Sequence, residues 1–174
     1  VLSSEDPVRV YQQYATIDLL SNGRAELMVG RGSFIESFPL FGYNLDDYNA
    51  LFEEKLNLLL QINRHEIITW KGKFRAPLYN QQVLSRASNP LSVWIAVGGT
   101  PASVIRAGKL GLPLVVAIIG GQPSQFKELF ALYKKTYQEN GHDMQDYQVG
   151  IHAHTFIGEE AEKTAAGYYP IYAA

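Results

Sequence analysis

Residues 91–121 read LSVWIAVGGTPASVIRAGKLGLPLVVAIIGG, and this stretch decides the fold class. Its apolar runs at residues 93–97 and 114–119 are short and rich in β-branched residues, which predicts two strands. Between them, Thr100 followed by proline is typical of the start of a helix, and Gly111 is typical of its end. A strand, a helix and a second strand in this order form a crossover connection, so the two strands are expected to be parallel.

Upstream of this unit the chain shows the same alternation of helix and strand. The elements predicted there are, in order, a helix from Asp6 to about residue 21, a strand at residues 25–29 and a helix from Asp46 to about residue 62. Residues 63–92 have no sustained helical period and contain several Gly and Pro residues. We therefore predict an excursion from the main fold, with a short hairpin between residues 67–70 and 73–75.

Downstream of residue 121 the pattern continues to the end of the chain. The predicted elements are a helix capped by Ser124 that ends at Asn140, a strand at residues 148–153 and a short helix at residues 159–166 whose first turn carries Glu159 and Glu160. Strands separated by helices are joined by crossovers, so the whole sheet is predicted to be parallel. Such sheets bind ligands at the carboxyl ends of their strands, whether the sheet is open or closed into a barrel.

Length, charge and composition exclude several classes of function. The 174 residues fit one domain, and the absence of cysteine excludes disulfides and thiolate chemistry and fits a cytoplasmic location. Lys and Arg number 15 against 17 Asp and Glu, so no excess charge favours nucleic acid or an anionic membrane. The longest apolar runs fall far short of the roughly 20 residues of a membrane helix. The chain begins at Val1 without Met or a basic segment, which predicts a processed or truncated start.

Three of the four predicted strands end in glycine-rich turns. These turns are Gly30, Arg31 and Gly32 after the first strand, Gly98, Gly99 and Thr100 after the second, and Gly120 and Gly121 after the third. Glycine lets backbone N–H groups approach a ligand closely, and the helix start after Thr100 adds unpaired N–H donors. Arg31 can donate two parallel hydrogen bonds to an anion. Short turns also use glycine for backbone reasons alone, but together the three turns favour a phosphate site.

Other chemical patterns in the chain are weaker. Neither G-x-G-x-x-G nor a P-loop occurs, so the turns indicate an anion rather than a particular nucleotide. His152 and His154 share one side of a strand, but no third ligand has clear spacing to them, so no metal site is predicted. An aromatic run follows the Arg31 turn, at Phe34, Phe38, Phe41 and Tyr43. Such a run usually packs internally, although here it could also flank a planar ring or an apolar substrate.

Seven segments of the chain carry a family resemblance. They read DPVR at 6–9, DLLSNGRAEL at 18–27, GRG at 30–32, FPLFG at 38–42, WIAVGGT at 94–100, GKLGLP at 108–113 and NGHD at 140–143. In this order and spacing they resemble the bacterial luciferase-like monooxygenases, a family of flavin-dependent (β/α)8 barrels. The resemblance spans nearly the whole chain.

The resemblance implies a fold of the α/β class for residues 1–174, a single domain that is a partial (β/α)8 TIM barrel. The four strands resemble the fourth to seventh of that barrel, residues 1–4 the tail of the third, and residues 63–92 the insertion before the fifth. A barrel of this kind needs about 250 residues. Because strands would be left unpaired at both edges, we expect this chain to self-associate as a homo-oligomer.

The resemblance also implies a function. The family reduces O₂ with reduced flavin and oxygenates a small organic substrate, which predicts an FMN-dependent oxidoreductase whose isolated fragment would be inactive; a related branch uses the deazaflavin F420 for hydride transfer instead. The residues implied to bind the cofactor are Arg31, Gly98, Gly99, Thr100, Ile118 and Gly120. No catalytic acid or base is assigned, because the strands that carry the family's polar active-site residues have no counterpart here.

Two other interpretations stay open on the sequence alone. The chain could belong to a non-catalytic protein that binds flavin or phosphate at the same turns. It could also form an open, flavodoxin-like sheet that is complete in itself, since four or five parallel strands suffice for that fold. The long gap between the strands that end at residue 29 and begin at residue 93 makes the open sheet less natural.

Overall fold

A computed structural model describes residues 1–120 and 122–173 of the chain. Its helices and strands alternate in much the order that the sequence predicts. In chain order they are α1 (Pro7–Ser21), β1 (Glu26–Val29), α2 (Ser37–Leu40), α3 (Tyr48–Arg64), β2 (Ile67–Trp70), β3 (Leu78–Gln82), β4 (Ser92–Val97), α4 (Pro101–Leu110), β5 (Leu114–Ala117), α5 (Lys127–Glu139), β6 (Val149–His152) and α6 (Ala161–Tyr172). Within the described residues, no helix is both long and apolar enough to cross a bilayer.

Four strands form one sheet in the order β1-β4-β5-β6, and every neighbouring pair is parallel. β1 aligns Met28 with Trp94 of β4, and β4 aligns Ile95 with Leu114 of β5. The prediction of a parallel sheet is therefore confirmed. β2 and β3 form a separate antiparallel pair, so the excursion predicted at residues 63–92 does leave the main sheet between α3 and β4, although its last residue, Ser92, already pairs with Glu26 in that sheet.

The helices cover one face of this sheet. Leu27 and Val29 are buried in the hydrophobic core, whereas Met28 between them is 52% exposed. β4 alternates in the same way, with Ile95 buried and Trp94 outside the core cluster. Because successive side chains of a strand point to opposite faces, one face packs against the helices and the other stays open.

Close contact between α4 and α5 contributes to this helical layer. A Cβ atom added at Gly108 of α4 would lie 2.8 Å from Cβ of Thr136 on α5, closer than real side chains approach. Glycine is therefore required for the two helices to pack at this distance. The helix α4 begins at Pro101 and ends with Gly111 as its cap, so both predicted ends are confirmed.

The second arm of the predicted hairpin is wrong. Strand β2 pairs with Leu78–Gln82 and not with residues 73–75. The reason is a contact with α3, since the carboxylate of Glu54 accepts hydrogen bonds from the backbone N–H groups of Lys73 at 2.7 Å and Phe74 at 3.0 Å. These N–H groups are used by α3 and are not available to a strand ladder.

Three details near the carboxyl end also differ from the sequence predictions. Ser124 lies inside a 3-10 turn, Pro123–Phe126, that precedes α5, and so it is not the cap of that helix. Glu159 and Glu160 precede α6 rather than forming its first turn. The helix runs to Tyr172 instead of stopping at residue 166; Tyr168, beyond that point, stacks on Phe156 with ring centroids 4.8 Å apart.

A cluster of three tyrosines, two of them on α5, predicts how stability depends on pH. The buried hydroxyl of Tyr133 donates to the carbonyl of Leu112 at 2.9 Å, and its ring stacks on Tyr147 at 5.0 Å. Burial is the largest cause that raises the pKa of Tyr133, Tyr137 and Tyr147 above 10, the ordinary tyrosine value. In the unfolded chain these groups lose their protons near pH 10, while in the folded chain they keep them.

Because the unfolded state then binds fewer protons, the free energy of unfolding is expected to fall as the pH rises above about 10. Denaturant unfolding between pH 9 and 11.5 measures this fall, and absorbance at alkaline pH should show a late-titrating group of tyrosines. In Tyr133→Phe the fall should be shallower. A free energy of unfolding that stays level across this range would contradict the burial of the cluster.

Candidate phosphate site

The turns after β1 and β4 lie next to each other at the carboxyl ends of the strands. The two strands are neighbours and parallel, so their carboxyl ends lie side by side. Arg31 follows β1, and Thr100 follows β4. Nη2 of Arg31 donates a hydrogen bond to Oγ1 of Thr100 at 3.2 Å. The structure thus brings together two of the residues that the sequence assigns to a phosphate site.

Neutral groups surround the guanidinium of Arg31. Nη1 donates to Oδ1 of Asn49 at 2.7 Å, and Cζ lies 4.9 Å from the centre of the Tyr48 ring. The hydroxyl of Tyr48 donates in turn to the carbonyl of Gly32 at 2.5 Å. Within the described residues Arg31 forms no ion pair. Its positive charge is therefore not compensated by a carboxylate and is available to an anion.

The turn between β4 and α4 leaves room beside this charge. A Cβ atom at either Gly98 or Gly99 would meet no atom within 4 Å, so both residues border open space. Gly99 has a φ of +121°, which side chains other than glycine rarely adopt. The backbone of this turn can consequently lie directly against a ligand.

The start of α4 adds a second favourable feature. Thr100 is the residue that caps α4, yet its side chain makes no capping hydrogen bond to the helix. The hydroxyl instead accepts from Arg31. Pro101 has no N–H, and the N–H of Ser103 donates to the carbonyl of Thr100 at 3.0 Å, which leaves the N–H of Ala102 and the positive end of the helix to attract an anion. A phosphate group fits this combination of open glycine turn, helix start and uncompensated guanidinium.

The remaining predicted cofactor residues lie at the end of β5. Ile118 is 8% exposed and belongs to the hydrophobic core, and its N–H donates to the carbonyl of His152 at 2.8 Å. Gly120 is exposed, and a Cβ atom there would meet no atom within 4 Å. Neither residue joins the hydrogen bonds around Arg31, and Gly121 lies outside the described residues. Their role in binding stays a prediction.

The two strand-end histidines do not form a metal centre with other residues of the described chain. His152 ends β6 and lines the open face of the sheet with Met28, Trp94 and Val115. His154 packs against Tyr172 with ring centroids 5.6 Å apart. Across residues 1–120 and 122–173, no group of three or more His, Cys, Asp or Glu side chains is placed to hold a metal ion.

The aromatic run after Arg31 divides into two parts. Phe38 is fully buried and packs against Tyr48 at 5.4 Å, and Tyr43 lies 4.0 Å beneath the ammonium of Lys55. Phe34 is 77% exposed, and Phe41 is also exposed. Buried Phe38 and half-buried Tyr43 therefore fix the turn, as ordinary packing predicts, and the exposed members are the ones that remain able to meet a ligand.

Sequence reasoning missed Tyr48 and Asn49. Both lie in the first turn of α3, inside the helix that the sequence predicts from Asp46, but the sequence predicts no contact of either residue with Arg31. Their contact with Arg31 depends on where α3 begins relative to the turn after β1. Asn49 lies 18 residues after Arg31 in the chain. The one sequence pattern from which Asn49 could have been predicted is a polar residue at the start of a helix that follows a turn with a cationic residue.

Comparison with known proteins places the chain in a family. A family model described as luciferase-like monooxygenase matches residues 1–174. An F420-dependent glucose-6-phosphate dehydrogenase of Amycolatopsis mediterranei is 29% identical over 109 residues, which are 61% of this chain and 32% of the dehydrogenase. The chain therefore spans about a third of that relative.

Two solved structures share the fold. Monooxygenase RslO1 of Streptomyces bottropensis is 19% identical and matches with a TM-score of 0.84 over 97% of this chain and 52% of its own. The oxygenating constituent of 3,6-diketocamphane monooxygenase of Pseudomonas putida, a type II Baeyer-Villiger monooxygenase solved with FMN, is 20% identical with a TM-score of 0.67 over 85% of this chain and 44% of its own. These likenesses confirm the predicted partial (β/α)8 fold. With the family model matching its whole length, the chain belongs to the luciferase-like monooxygenase family.

Proposed function

We propose that the chain is the cofactor-phosphate-binding part of an FMN-dependent monooxygenase that acts on a small organic substrate. The observation that carries this proposal is the guanidinium of Arg31, which is held by neutral partners at an open glycine turn. The Baeyer-Villiger monooxygenase that shares the fold was solved with FMN, and FMN carries the phosphate that such a site would bind.

Each residue of the site has a defined role in this proposal. Arg31 donates to the phosphate oxygens, and Thr100 donates its hydroxyl proton. Gly98 and Gly99 let the backbone approach, and the start of α4 contributes its positive end. Reduced FMN, when bound, supplies the electrons with which O₂ is reduced and one oxygen atom is transferred to the substrate. These residues bind and orient the cofactor, and none of them is proposed as a catalytic acid or base.

A second candidate is an F420-dependent oxidoreductase that transfers hydride. The relative from Amycolatopsis mediterranei, 29% identical, is named as an F420-dependent enzyme and favours this alternative. An anion site built from Arg31 and the Gly98–Thr100 turn suits either cofactor. Oxygen consumption separates the two, since the FMN candidate consumes O₂ during turnover and the F420 candidate does not.

Titration of the full-length protein with FMN tests the proposal. We expect quenching of flavin fluorescence and a shifted absorption spectrum, with tighter binding of FMN than of riboflavin, which has the same ring system but no phosphate. A parallel titration with F420 decides between the two candidates. If neither cofactor gives a spectral change at high micromolar concentration, the proposed function is wrong.

A further inference from the structure

We propose that Asn49 and Tyr48 are positioning residues for the phosphate site, which direct the guanidinium of Arg31 toward Thr100 and leave its charge free for the ligand. This inference rests on the proposed function and deepens it. Neither residue is expected to touch the reacting atoms. Their effect on binding acts through Arg31.

The packing of α3 holds Tyr48 and Asn49 in place. They are the first two residues of α3 (Tyr48–Arg64), and the next residues along that helix, Leu51 and Phe52, are buried in the core. The ring of Tyr48 packs on buried Phe38 at 5.4 Å, and its hydroxyl donates to the carbonyl of Gly32. Tyr48 therefore contacts the segment that follows Arg31 at two points, Gly32 and Phe38.

The directions of the hydrogen bonds determine which groups of the site can donate to a ligand. A guanidinium only donates, so Oδ1 of Asn49 and Oγ1 of Thr100 must both accept from Arg31. Because the oxygen of Thr100 accepts this bond, its hydroxyl proton stays free to donate to a ligand. The site therefore presents hydrogen-bond donors and no negatively charged acceptor, which matches the acceptor oxygens of a phosphate.

The neutral side chain at position 49 determines how strongly Arg31 attracts a phosphate. An aspartate there would have nearly the same shape as asparagine, and its oxygen would also accept from Arg31. It would, however, form an ion pair at the same distance of about 2.7 Å. Arg31 would then be compensated within the protein, and its attraction for a phosphate would fall.

The test compares charge and shape at position 49. Asn49→Asp in the full-length protein is expected to weaken FMN binding about tenfold or more and to leave riboflavin binding unchanged. Asn49→Leu, which removes the acceptor without adding charge, is expected to weaken FMN binding less. Asn57→Asp is the matched control, because it makes the same charge change on an exposed residue of α3 about 12 Å further along the helix, where salt screens it.

Tyr48 is tested with a second pair of variants. Tyr48→Leu removes the aromatic face under Arg31 and is expected to weaken FMN binding about two- to fivefold, as an exposed cation–π contact would. Tyr48→Phe keeps that face and is expected to retain more of the FMN affinity. The thermal midpoint of each variant shows whether the protein is folded.

Each outcome supports or overturns the inference. A larger loss of FMN affinity in Asn49→Asp than in Asn49→Leu and Asn57→Asp, with riboflavin unaffected, supports it. Equal losses for FMN and riboflavin would indicate a merely structural role and overturn it, as would an FMN affinity in Asn49→Asp that matches the wild type. If the wild type binds neither FMN nor F420, the proposed function fails and the inference fails with it; if the wild type binds FMN and the variants do not differ, only the inference fails.

Discussion

Replacing Arg31 by leucine is expected to weaken FMN binding by the full-length protein about 10- to 100-fold. A hydrogen bond to a charged group contributes about 1.5–3 kcal/mol, and each 1.4 kcal/mol is about tenfold in affinity. Arg31 forms no ion pair in the described chain and is held by Asn49 and Thr100, so its charge would act mainly on the phosphate. Riboflavin binding should change little. Fluorescence titrations with both flavins measure the difference.

Two further variants show whether charge alone is responsible. Arg31→Lys keeps the positive charge and loses the planar fork, so an intermediate loss is expected. Arg24→Leu is the matched control, because Arg24 is an exposed arginine that precedes β1 at the opposite end of the strand from Arg31. If Arg24→Leu weakened FMN binding as much as Arg31→Leu, the effect would be one of net charge and the site would be misplaced.

Replacing Ile95 by alanine is expected to lower the free energy of unfolding by about 2–5 kcal/mol. Ile95 is 1% exposed in the middle of β4, between β1 and β5, and its side chain belongs to the core beneath the helices. Truncation removes buried methylene groups and leaves a cavity that the surrounding sheet cannot fill. Denaturant unfolding of the variant and the wild type measures the loss.

Conservative replacement at the same position gives the control. Ile95→Val removes a single methylene group and is expected to cost about 0.5–1.5 kcal/mol. Since β4 carries the Gly98–Thr100 turn, folded Ile95→Val should bind FMN with nearly the affinity of the wild type. Equal stability of Ile95→Ala and the wild type would mean that the helices do not pack on this face of the sheet.

The main sheet could be predicted because its signals are local. The β-branched runs at residues 93–97 and 114–119 and the proline and glycine that bound α4 each act within a few residues. Their order then favours parallel strands, because a helix that crosses over the sheet brings the next strand back in the same direction. In the structure the turns after β1 and β4 lie together, joined by the bond between Arg31 and Thr100.

The hairpin could not be predicted correctly because its cause is distant. Residues 73–75 have the composition of a short strand, but Glu54, on α3, binds the backbone of Lys73 and Phe74 and excludes that pairing. The shift of the second arm to Leu78–Gln82 follows from this contact. Only knowledge of how α3 lies against the excursion would have revealed it.

The site was predictable only in part, because some of its contacts follow from strand topology and others join distant parts of the chain. Arg31 and the glycine turn follow from strand topology, whereas Tyr48 and Asn49 reach Arg31 only because α3 begins beside the β1 turn. The place of Ile118 in the site is implied only by the family resemblance; the structure buries its side chain in the core, and its role in binding stays a prediction. The face on which a strand-end residue points depends on where the strand stops, and β5 stops at Ala117.

The most direct test of the central claim is a crystal structure of the full-length protein with FMN. We expect the FMN phosphate to lie between the turns after β1 and β4, with its oxygens about 2.7–3.2 Å from the guanidinium of Arg31 and the hydroxyl of Thr100. The backbone of Gly98 and Gly99 should line the same group. A phosphate bound elsewhere, with the Arg31 guanidinium left without an anion, would show that Arg31 does not hold the cofactor.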